Sequence, residues 1–381
     1  MTKREALNGK PYAGNPHVRF DEGEAASTAT SRRGSLLYKR INVAIVGFGF
    51  MGRTHYGVWK KLRNARVTCV CDSNLAQITA KTKGNLDVAD NSDLPPIVRI
   101  YDDFDKMLAS ERLDAVDITL PTPLHPEMTV KALSRDVNVL CEKPMAIDAK
   151  ACDRMIAAEN KSRAHLMIAQ CVRYWPEYAV LKEFVDSGRY GRVIAADFTR
   201  FSPAPVWTRG GKCWFLDESK SGGVALDMHL HDTDEIHHLF GMPESVSSKS
   251  HLHRDGWTDF IATAYSYPDK VVTSSSSWAM SPSFVWESGF RVVFERAVVV
   301  HNTHSTPAFV VYPEKGKPFT PKVPKASGYE REIREFAAWI TGGNADPVTA
   351  KSARDSVAVV DAERKSAKCG RPVKLQLLRQ D

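Results

Sequence analysis

The sequence predicts an α/β protein: a doubly wound parallel sheet in the first half and a large, mainly antiparallel sheet in the second. Between residues 41 and 169, short apolar runs alternate with helical patterns, as in successive β-α units. From residue 193 onward, β-type runs follow one another through turns such as 267–270. A chain of 381 residues is long enough for two domains with full-size cores.

The predicted elements can be placed in chain order. The first half has strands at 41–46, 67–71, 98–101, 115–120, 137–141 and 166–169, and helices after residue 52 and at 103–111, 126–135 and 149–162. The second half has helices at 177–187, 329–341 and 349–366, and β runs at 193–201, 245–251, 260–267, 270–278, 286–294 and 297–300. Ligands of doubly wound sheets bind beyond the carboxyl ends of the strands, so residues 120–125 and 142–144 are candidate site segments.

A glycine motif joins the first strand to the first helix. It consists of Gly47, Phe48, Gly49, Phe50, Met51 and Gly52, and Asp72 ends the next apolar run, twenty residues after Gly52. In this motif the glycines allow a tight turn, a close approach of a pyrophosphate to the backbone, and close helix–strand packing. The helix N-terminus attracts the pyrophosphate, and the acid accepts hydrogen bonds from the adenosine ribose. The pattern therefore predicts a Rossmann domain that binds a nicotinamide dinucleotide.

The same motif favours NAD over NADP. The carboxylate of Asp72 would repel a 2′-phosphate, and the following Ser73 and Asn74 supply no compensating cation. Arg53 is near enough in sequence to reach such a phosphate, so NADP stays a less favoured alternative.

Composition excludes several classes of protein. The net charge of +7 comes without a dense basic tract, which argues against nucleic-acid binding. No apolar run approaches the roughly 20 residues of a membrane helix. The seven cysteines are scattered and contain no C-x-x-C pair, as expected for reduced thiols in a cytoplasmic protein. Residues 1–40 are polar and aperiodic, and we interpret them as either a disordered tail or an arm.

Two segments carry the candidate chemistry. Lys143, between Glu142 and Pro144, follows a strand end and either faces the nicotinamide cleft or lies in a surface turn. Asp227 and His231 are four residues apart after a Gly-Gly pair, so one helix face could hold a carboxylate beside a general base. The alternatives are a structural pair, or a metal site that combines His231 with His229 and Asp232.

These motifs, taken together, resemble one family. Four motifs follow one another along the chain: the glycine motif with His55, the Thr122-Pro123-x-His125 turn, Glu142-Lys143-Pro144, and Gly222-Gly223 with Asp227 and His231. In this order they resemble the glucose–fructose oxidoreductase / inositol dehydrogenase / rhizopine catabolism (Gfo/Idh/MocA) family over about residues 41–370. The resemblance implies a Rossmann domain at 41–164. It also implies a second α/β domain at 165–381, with an open sheet used for substrate binding and for assembly as a homodimer or homotetramer.

The resemblance also implies roles for single residues. Lys143, Asp227 and His231 match the family's catalytic residues. The cofactor cleft would include Leu120, Pro121, Thr122, His125, Glu142 and Gln170, and Arg173 would border the substrate. Trp175, Trp207, Trp214 and Trp257 could stack on a sugar ring, and Trp214 is favoured because it shortly precedes the Gly-Gly pair.

The predicted activity is NAD-dependent hydride transfer to or from a sugar, cyclitol or sugar derivative, with no metal. One alternative is a redox glycosidase, which oxidises, eliminates and re-reduces a glycoside and needs a further base such as Tyr174 or Glu218. A non-catalytic sugar sensor is the other, and the intact set of Lys143, Asp227 and His231 argues against it.

Overall fold

The computed structural model describes residues 40–79, 94–205 and 213–375. The predicted arm or tail, up to residue 39, and Trp207 lie outside the described residues. Within the described part of the chain, no helix combines the length and apolar character that a membrane span requires.

The first sheet is parallel and has six strands, which confirms the prediction. Its strands are β1 (Ile41–Val46), β2 (Ala65–Cys71), β3 (Arg99–Tyr101), β4 (Ala115–Ile118), β5 (Asn138–Glu142) and β6 (Leu166–Ala169), in the order β3-β2-β1-β4-β5-β6. The intervening helices are α1 (Phe50–Trp59), α2 (Leu75–Thr79), α3 (Phe104–Ser110), α4 (His125–Leu133) and α5 (Ala149–Glu159). The strand order reverses between β1 and β4, which opens the crevice where such sheets bind dinucleotides.

Local chemistry explains these elements. Strand β1 is apolar apart from Asn42 because helices cover both faces of a parallel sheet, and Val43, Ala44 and Ile45 are fully buried. Helices α3 and α5 begin after Asp103 and Asp148, whose carboxylates accept hydrogen bonds from the third backbone N–H that follows each of them. The helices therefore begin close to the predicted positions.

The second sheet is mixed but mainly antiparallel, as predicted. Its strands are β7 (Val193–Pro203), β8 (Ser245–Leu252), β9 (Thr258–Ser266), β10 (Val271–Met280), β11 (Glu287–Phe294), β12 (Ala297–Asn302), β13 (Phe309–Pro313) and β14 (Val373–Lys374), in the order β13-β12-β11-β7-β10-β9-β8-β14. Strands β7 and β10 pair in parallel, and the other neighbours pair antiparallel. The short edge strands β13 and β14 were not predicted.

Five helices accompany this sheet. They are α6 (Pro176–Ser187), α7 (Glu218–Ser221), α8 (Leu230–Phe240), α9 (Gly328–Ile340) and α10 (Ala350–Cys369). Helix α10 packs against α8 and β8 and also against α5 of the first half, while α9 packs on α1. Helix α10 therefore contacts elements of both sheet layers.

The segment before α8 departs from the predicted α-helix. Residues Ala225–His229 form a π turn, in which each backbone N–H bonds five residues back, and α8 continues from it. The preceding Gly222 and Gly223 have positive φ angles of 73° and 66°. The π turn places an extra residue in the helix between Asp227 and His231.

Candidate active site

The dinucleotide turn is built around two close backbone approaches. Gly47 has a φ of +90°, and a Cβ there would lie 2.9 Å from the carbonyl oxygen of Thr119. A Cβ on Gly52 would lie 2.1 Å from the carbonyl oxygen of Gly47, so helix α1 can approach β1 only because this residue is glycine. The Thr119 hydroxyl also donates to that carbonyl oxygen at 2.6 Å, a contact that the sequence analysis missed.

Asp72 shapes this turn. Its carboxylate accepts hydrogen bonds from the backbone N–H of Phe48 at 2.8 Å and of Asn74 at 2.9 Å, and the residue is 8% exposed. A carboxylate has about four acceptor positions, so two bonds leave capacity for ribose hydroxyls. Arg53 is 2% exposed, with its guanidinium 5.0 Å from the centre of the Phe48 ring and donating to the Ile78 carbonyl. The turn fits NAD, and the enclosed Arg53 does not extend toward solvent.

We expect Asp72→Ala to weaken NAD⁺ binding by about 10–100-fold, because hydrogen bonds to charged groups contribute about 1.5–3 kcal/mol. NADP⁺ binding should weaken less, because the carboxylate that repels the 2′-phosphate is also removed. Isothermal titration calorimetry with both nucleotides measures the two effects. Asp105→Ala, which removes an exposed carboxylate paired with Lys131, is the matched control. An unchanged affinity for NAD⁺ in Asp72→Ala would contradict the assignment.

Two strand ends meet beside the turn. His125 is 1% exposed, and its Nδ1 lies 2.8 Å from the carbonyl oxygen of Pro144 and its Nε2 2.7 Å from that of Leu120. The imidazole thus ties the segment after β4 to the segment after β5. A direct contact of His125 with the cofactor stays a prediction, as do the contacts of Leu120, Pro121 and Thr122.

A buried ionic cluster lies beneath Glu142. His55 Nδ1 lies 2.9 Å from Asp117, its Nε2 lies 3.2 Å from a Glu142 carboxylate oxygen, and Trp59 donates to Asp117 at 2.7 Å. Burial disfavours a charged His55, but the two carboxylates outweigh burial and raise the pKa of His55 well above its ordinary value. The other Glu142 oxygen accepts from the backbone N–H of Lys143 at 2.9 Å. The cluster therefore fixes the strand end that carries the candidate catalytic lysine.

Lys143 faces the π turn and is not a free surface lysine. Its ammonium donates to the carbonyl oxygen of Asp227 at 2.7 Å and to the Asp227 carboxylate at 3.1 Å. The side chains of Lys143 and Asp227 are 17% and 20% exposed. The two predicted segments, separated by 84 residues, thus come together and keep limited access to solvent.

His231 lies in the same region without the expected carboxylate partner. Its Nδ1 is buried and has no hydrogen-bond partner among the described residues, and Asp227 bonds Lys143 instead. Burial, followed by the charges of Lys143 and Arg200, lowers the pKa of His231 well below 6.5. His231 is therefore a neutral imidazole near pH 7, the form that can accept a proton.

Two residues of the alternative metal site, Asp232 and His229, bond other side chains. Asp232 forms a bidentate ion pair with the buried Arg200, at 2.8 and 3.2 Å. His229 bonds serine side chains of the second sheet. No cluster of three or more potential metal ligands occurs among the residues that the structure describes.

Gln170 and Arg173 differ in availability. Gln170 is 1% exposed, and neither its amide oxygen nor its amide nitrogen has a hydrogen-bond partner in the described part of the chain. Such a buried amide at the carboxyl end of β6 fits a site that a ligand completes. Arg173 instead forms two bonds with Asp234, at 2.6 and 2.7 Å, and a third with Ser352 at 2.9 Å. This geometry gives Arg173 a structural partner, and its predicted substrate contact stays a prediction.

We expect Arg173→Met to lower the free energy of unfolding by about 3–5 kcal/mol, because it leaves the buried Asp234 carboxylate without its cation. The double variant Arg173→Met/Asp234→Asn should recover part of this loss, since the uncompensated charge is gone. Urea unfolding measures both values. A single variant as stable as the wild type, but with a raised KM, would instead show that Arg173 acts mainly on substrate.

The tryptophans divide into packed and open positions. Trp175 packs edge-on against Tyr329, with ring centres 5.7 Å apart, and Trp257 is 8% exposed and stacks on His253. Trp214 follows Cys213, begins a 3₁₀ turn and is half-buried beside Phe215. Trp214 therefore remains a better candidate for a substrate contact than Trp175 or Trp257, and this contact stays a prediction.

The fold and the glycine turn together define an NAD-binding Rossmann protein. The family model described as "Oxidoreductase family, NAD-binding Rossmann fold" matches residues 41–170, and the model described as "GFO/IDH/MocA C-terminal domain" matches residues 178–316. The chain belongs to the Gfo/Idh/MocA oxidoreductase family.

Three comparisons show the range of its relatives. A 2,7-anhydro-N-acetylneuraminate hydratase of Mediterraneibacter gnavus is 29% identical over 55% of this chain and 52% of its own length. D-apiose dehydrogenase of Paraburkholderia graminis is 23% identical over 89% of this chain and 91% of its own. The crystal structure of the WlbA dehydrogenase from Bordetella pertussis in complex with NADH and UDP-GlcNAcA aligns with a TM-score of 0.78 at 20% identity, covering 89% of this chain and 99% of that one. The match spans about half of the hydratase, and the structural likeness supports the fold.

Proposed function

We propose that the protein is an NAD-dependent oxidoreductase that moves a hydride between nicotinamide and a carbon bearing a hydroxyl group. The observation that carries this proposal is the meeting of Lys143 with the π turn, beside a neutral and partly unpartnered His231. Lys143 directly follows β5, a strand of the sheet whose glycine turn fits NAD. In the oxidation of an alcohol, a neutral imidazole can accept the hydroxyl proton and an ammonium can stabilise the developing negative charge on the oxygen.

The residues can divide the reaction between them. When bound, NAD⁺ supplies the hydride acceptor, at C4 of its nicotinamide. His231 takes the proton of the substrate hydroxyl through the neutral imidazole, while the C–H electron pair leaves as hydride and the C–O bond becomes a carbonyl. Lys143 donates a hydrogen bond to the same oxygen and stabilises its developing negative charge. Asp227 holds the ammonium in place, and reduction reverses each transfer.

Sugars, cyclitols and their derivatives are the proposed substrates. One relative, which matches over 89% of the chain, is named for a sugar, D-apiose, and the aligned dehydrogenase structure contains a sugar nucleotide. Residues 41–164 would bind the dinucleotide, and residues 165–381 would supply the substrate side through the π turn and Trp214.

A redox elimination is the second candidate, because one relative is named a hydratase of an anhydro sugar. Such a reaction needs another base. The Tyr174 hydroxyl donates to the carbonyl oxygen of Asp346 at 3.3 Å, and burial raises its pKa. A Glu218 carboxylate oxygen accepts the backbone N–H of Thr258 at 2.5 Å. Both groups already form hydrogen bonds with distant parts of the chain, so the dehydrogenase is favoured.

One experiment separates the candidates. Purified protein is mixed with NAD⁺ and a panel of sugars, inositols, sugar acids and glycosides, and absorbance at 340 nm is followed alongside product analysis by mass spectrometry. A steady increase in NADH with an oxidised product supports the dehydrogenase. Cleaved or hydrated product without net NADH supports the redox elimination. Binding of sugar and NAD⁺ without any product would favour a sensor.

We also propose that the second sheet assembles two copies of the chain. The sheet face away from α8 and α10 carries small and polar side chains, including Thr199, Ala262, Ala264, Thr273 and Ser275, and is partly exposed. Ser275→Arg in its centre should convert a homodimer or homotetramer into a smaller species, measured by light scattering after size exclusion. Ser283→Arg, in an exposed loop, is the control. Wild-type protein that elutes as a monomer would contradict this proposal.

A further inference from the structure

His229 lies between the two candidate catalytic residues and has no assigned role. It is the last residue of the π turn, two positions after Asp227 and two before His231. Its exposed fraction is 0%, so its imidazole contacts neither solvent nor any ligand in the cleft directly. A polar ring in such a position requires partners inside the protein.

The partners of His229 come from the second sheet. Its Nδ1 lies 3.0 Å from the Ser276 hydroxyl, and its Nε2 lies 3.2 Å from the Ser274 hydroxyl and 3.3 Å from the Tyr265 hydroxyl. Ser274 and Ser276 are on β10 and Tyr265 is on the neighbouring β9. Each of these residues is at most 4% exposed. Both ring nitrogens of His229 therefore bond the end of the π turn to the inner face of the second sheet.

A second set of contacts joins the same site to α8 and α10. A Glu363 carboxyl oxygen on α10 lies 3.6 Å from His229 Nε2, and its other oxygen accepts from Thr233 of α8 at 3.1 Å. Burial raises the pKa of Glu363 to about 8 and, with a smaller effect of Arg200, lowers the pKa of His229 to about 3. Both groups are thus neutral at pH 7. A neutral imidazole offers one donor and one acceptor, which suits hydroxyl partners at both nitrogens.

The π turn explains why such an anchor matters. A residue advances about 100° around an ordinary α-helix, which has 3.6 residues per turn. The π turn contains one additional residue, so relaxation to a regular helix would rotate Asp227 by about that angle relative to His231. The rotation would move Asp227 away from Lys143, whose ammonium now donates to the carbonyl oxygen and to a carboxylate oxygen of Asp227. A contact that holds the π turn therefore also holds the lysine–carboxylate pair.

We propose that His229 is a positioning residue, which fixes the π turn to β9 and β10 and so sets Asp227 and Lys143 relative to His231. The effect on turnover rests on the proposed oxidoreductase function. The effect on the geometry of the π turn does not.

Three variants and a control test this proposal. His229→Leu removes the polar contacts of both ring nitrogens, Ser276→Ala removes the partner of Nδ1 only, and His229→Gln retains one polar group in the site. His237→Gln is the matched control, because His237 lies on the same helix system and bonds a serine of α10, Ser356, at 3.2 Å. Stopped-flow and steady-state assays give kcat and KM, calorimetry gives the affinity for NAD⁺, and a crystal structure of Ser276→Ala gives the geometry.

We expect His229→Leu to lower kcat by about 100-fold, as small misplacements of catalytic groups do, with the affinity for NAD⁺ unchanged. Ser276→Ala should lower kcat by about 3–10-fold. The kcat of His229→Gln should lie between those of His229→Leu and the wild type, and His237→Gln should keep the wild-type kcat. The Ser276→Ala structure should show a longer Lys143–Asp227 contact or a regular helix in place of the π turn.

Two results would overturn the proposal. One is an unchanged π turn in Ser276→Ala together with a wild-type kcat. The other is an equal loss of kcat in His237→Gln, which would reveal a general effect of destabilising α8. If His229→Leu does not fold, the Ser276→Ala and His229→Gln results still decide. If the wild type oxidises no substrate, the proposed function fails, but the crystal structure still tests the positioning.

Discussion

Replacing Lys143 with methionine is expected to lower kcat by about 10²–10³-fold, the usual cost of removing one group that stabilises charge in a transition state. Methionine keeps much of the length and apolar surface of the lysine stem but has no donor. The Asp227 carboxylate then loses the ammonium that lies 3.1 Å from it. Steady-state oxidation of the best substrate measures the loss.

The affinity for NAD⁺ should change little in Lys143→Met, because the glycine turn and Asp72 are intact. Calorimetry checks this separation of turnover from cofactor binding. Lys131→Met is the matched control, since Lys131 of α4 forms ion pairs with Asp105 of α3 and Glu127 of α4. A normal kcat in Lys143→Met would show that another group stabilises the oxygen.

Replacing His231 with asparagine is expected to lower kcat by about 10²–10⁴-fold, the range of general acid–base catalysis. Asparagine fills part of the imidazole volume and can hydrogen-bond, but it does not accept a proton near pH 7. Added imidazole should restore part of the activity by occupying the vacated volume. His165→Asn, which alters a histidine stacked on Trp339 away from the cleft, is the control.

The pH profile gives His231 a second signature. Its pKa is lowered by burial and by Lys143, and only the neutral base accepts a proton. The wild-type kcat/KM for oxidation should therefore stay level through neutral pH and decrease only well below pH 6.5, where the imidazole of His231 becomes charged. That acidic decrease should disappear in His231→Asn. The same acidic limb in the variant would assign it to another group.

The Rossmann half could be predicted from sequence because its signals are local. Strand β1, the Gly47–Gly52 turn and the caps at Asp103 and Asp148 each depend on residues within a few positions of one another. The apolar runs of the parallel strands follow from burial on both faces. The short edge strands β13 and β14 were not predicted because they have little periodicity of their own.

The pairing of side chains at the site could not be predicted in this way. Arg173 and Asp234 are 61 residues apart, and only the fold shows that they bond each other. The spacing of Asp227 and His231 suggested one α-helical face. The π turn changes the angle between the two side chains, and Asp227 forms an ion pair with Lys143. A π turn is stabilised by contacts with neighbouring elements, and it leaves no distinct apolar period in the sequence. His229 illustrates this, since its partners lie on β9 and β10.

The central claim is net hydride transfer from a substrate to NAD⁺, and the most direct test is the number of NADH molecules formed per molecule of substrate consumed. Absorbance at 340 nm gives the first quantity and mass spectrometry the second, in one reaction with excess NAD⁺. The account predicts a ratio of one, with a carbonyl product two hydrogens lighter than the substrate. Complete conversion of substrate with no NADH would contradict it.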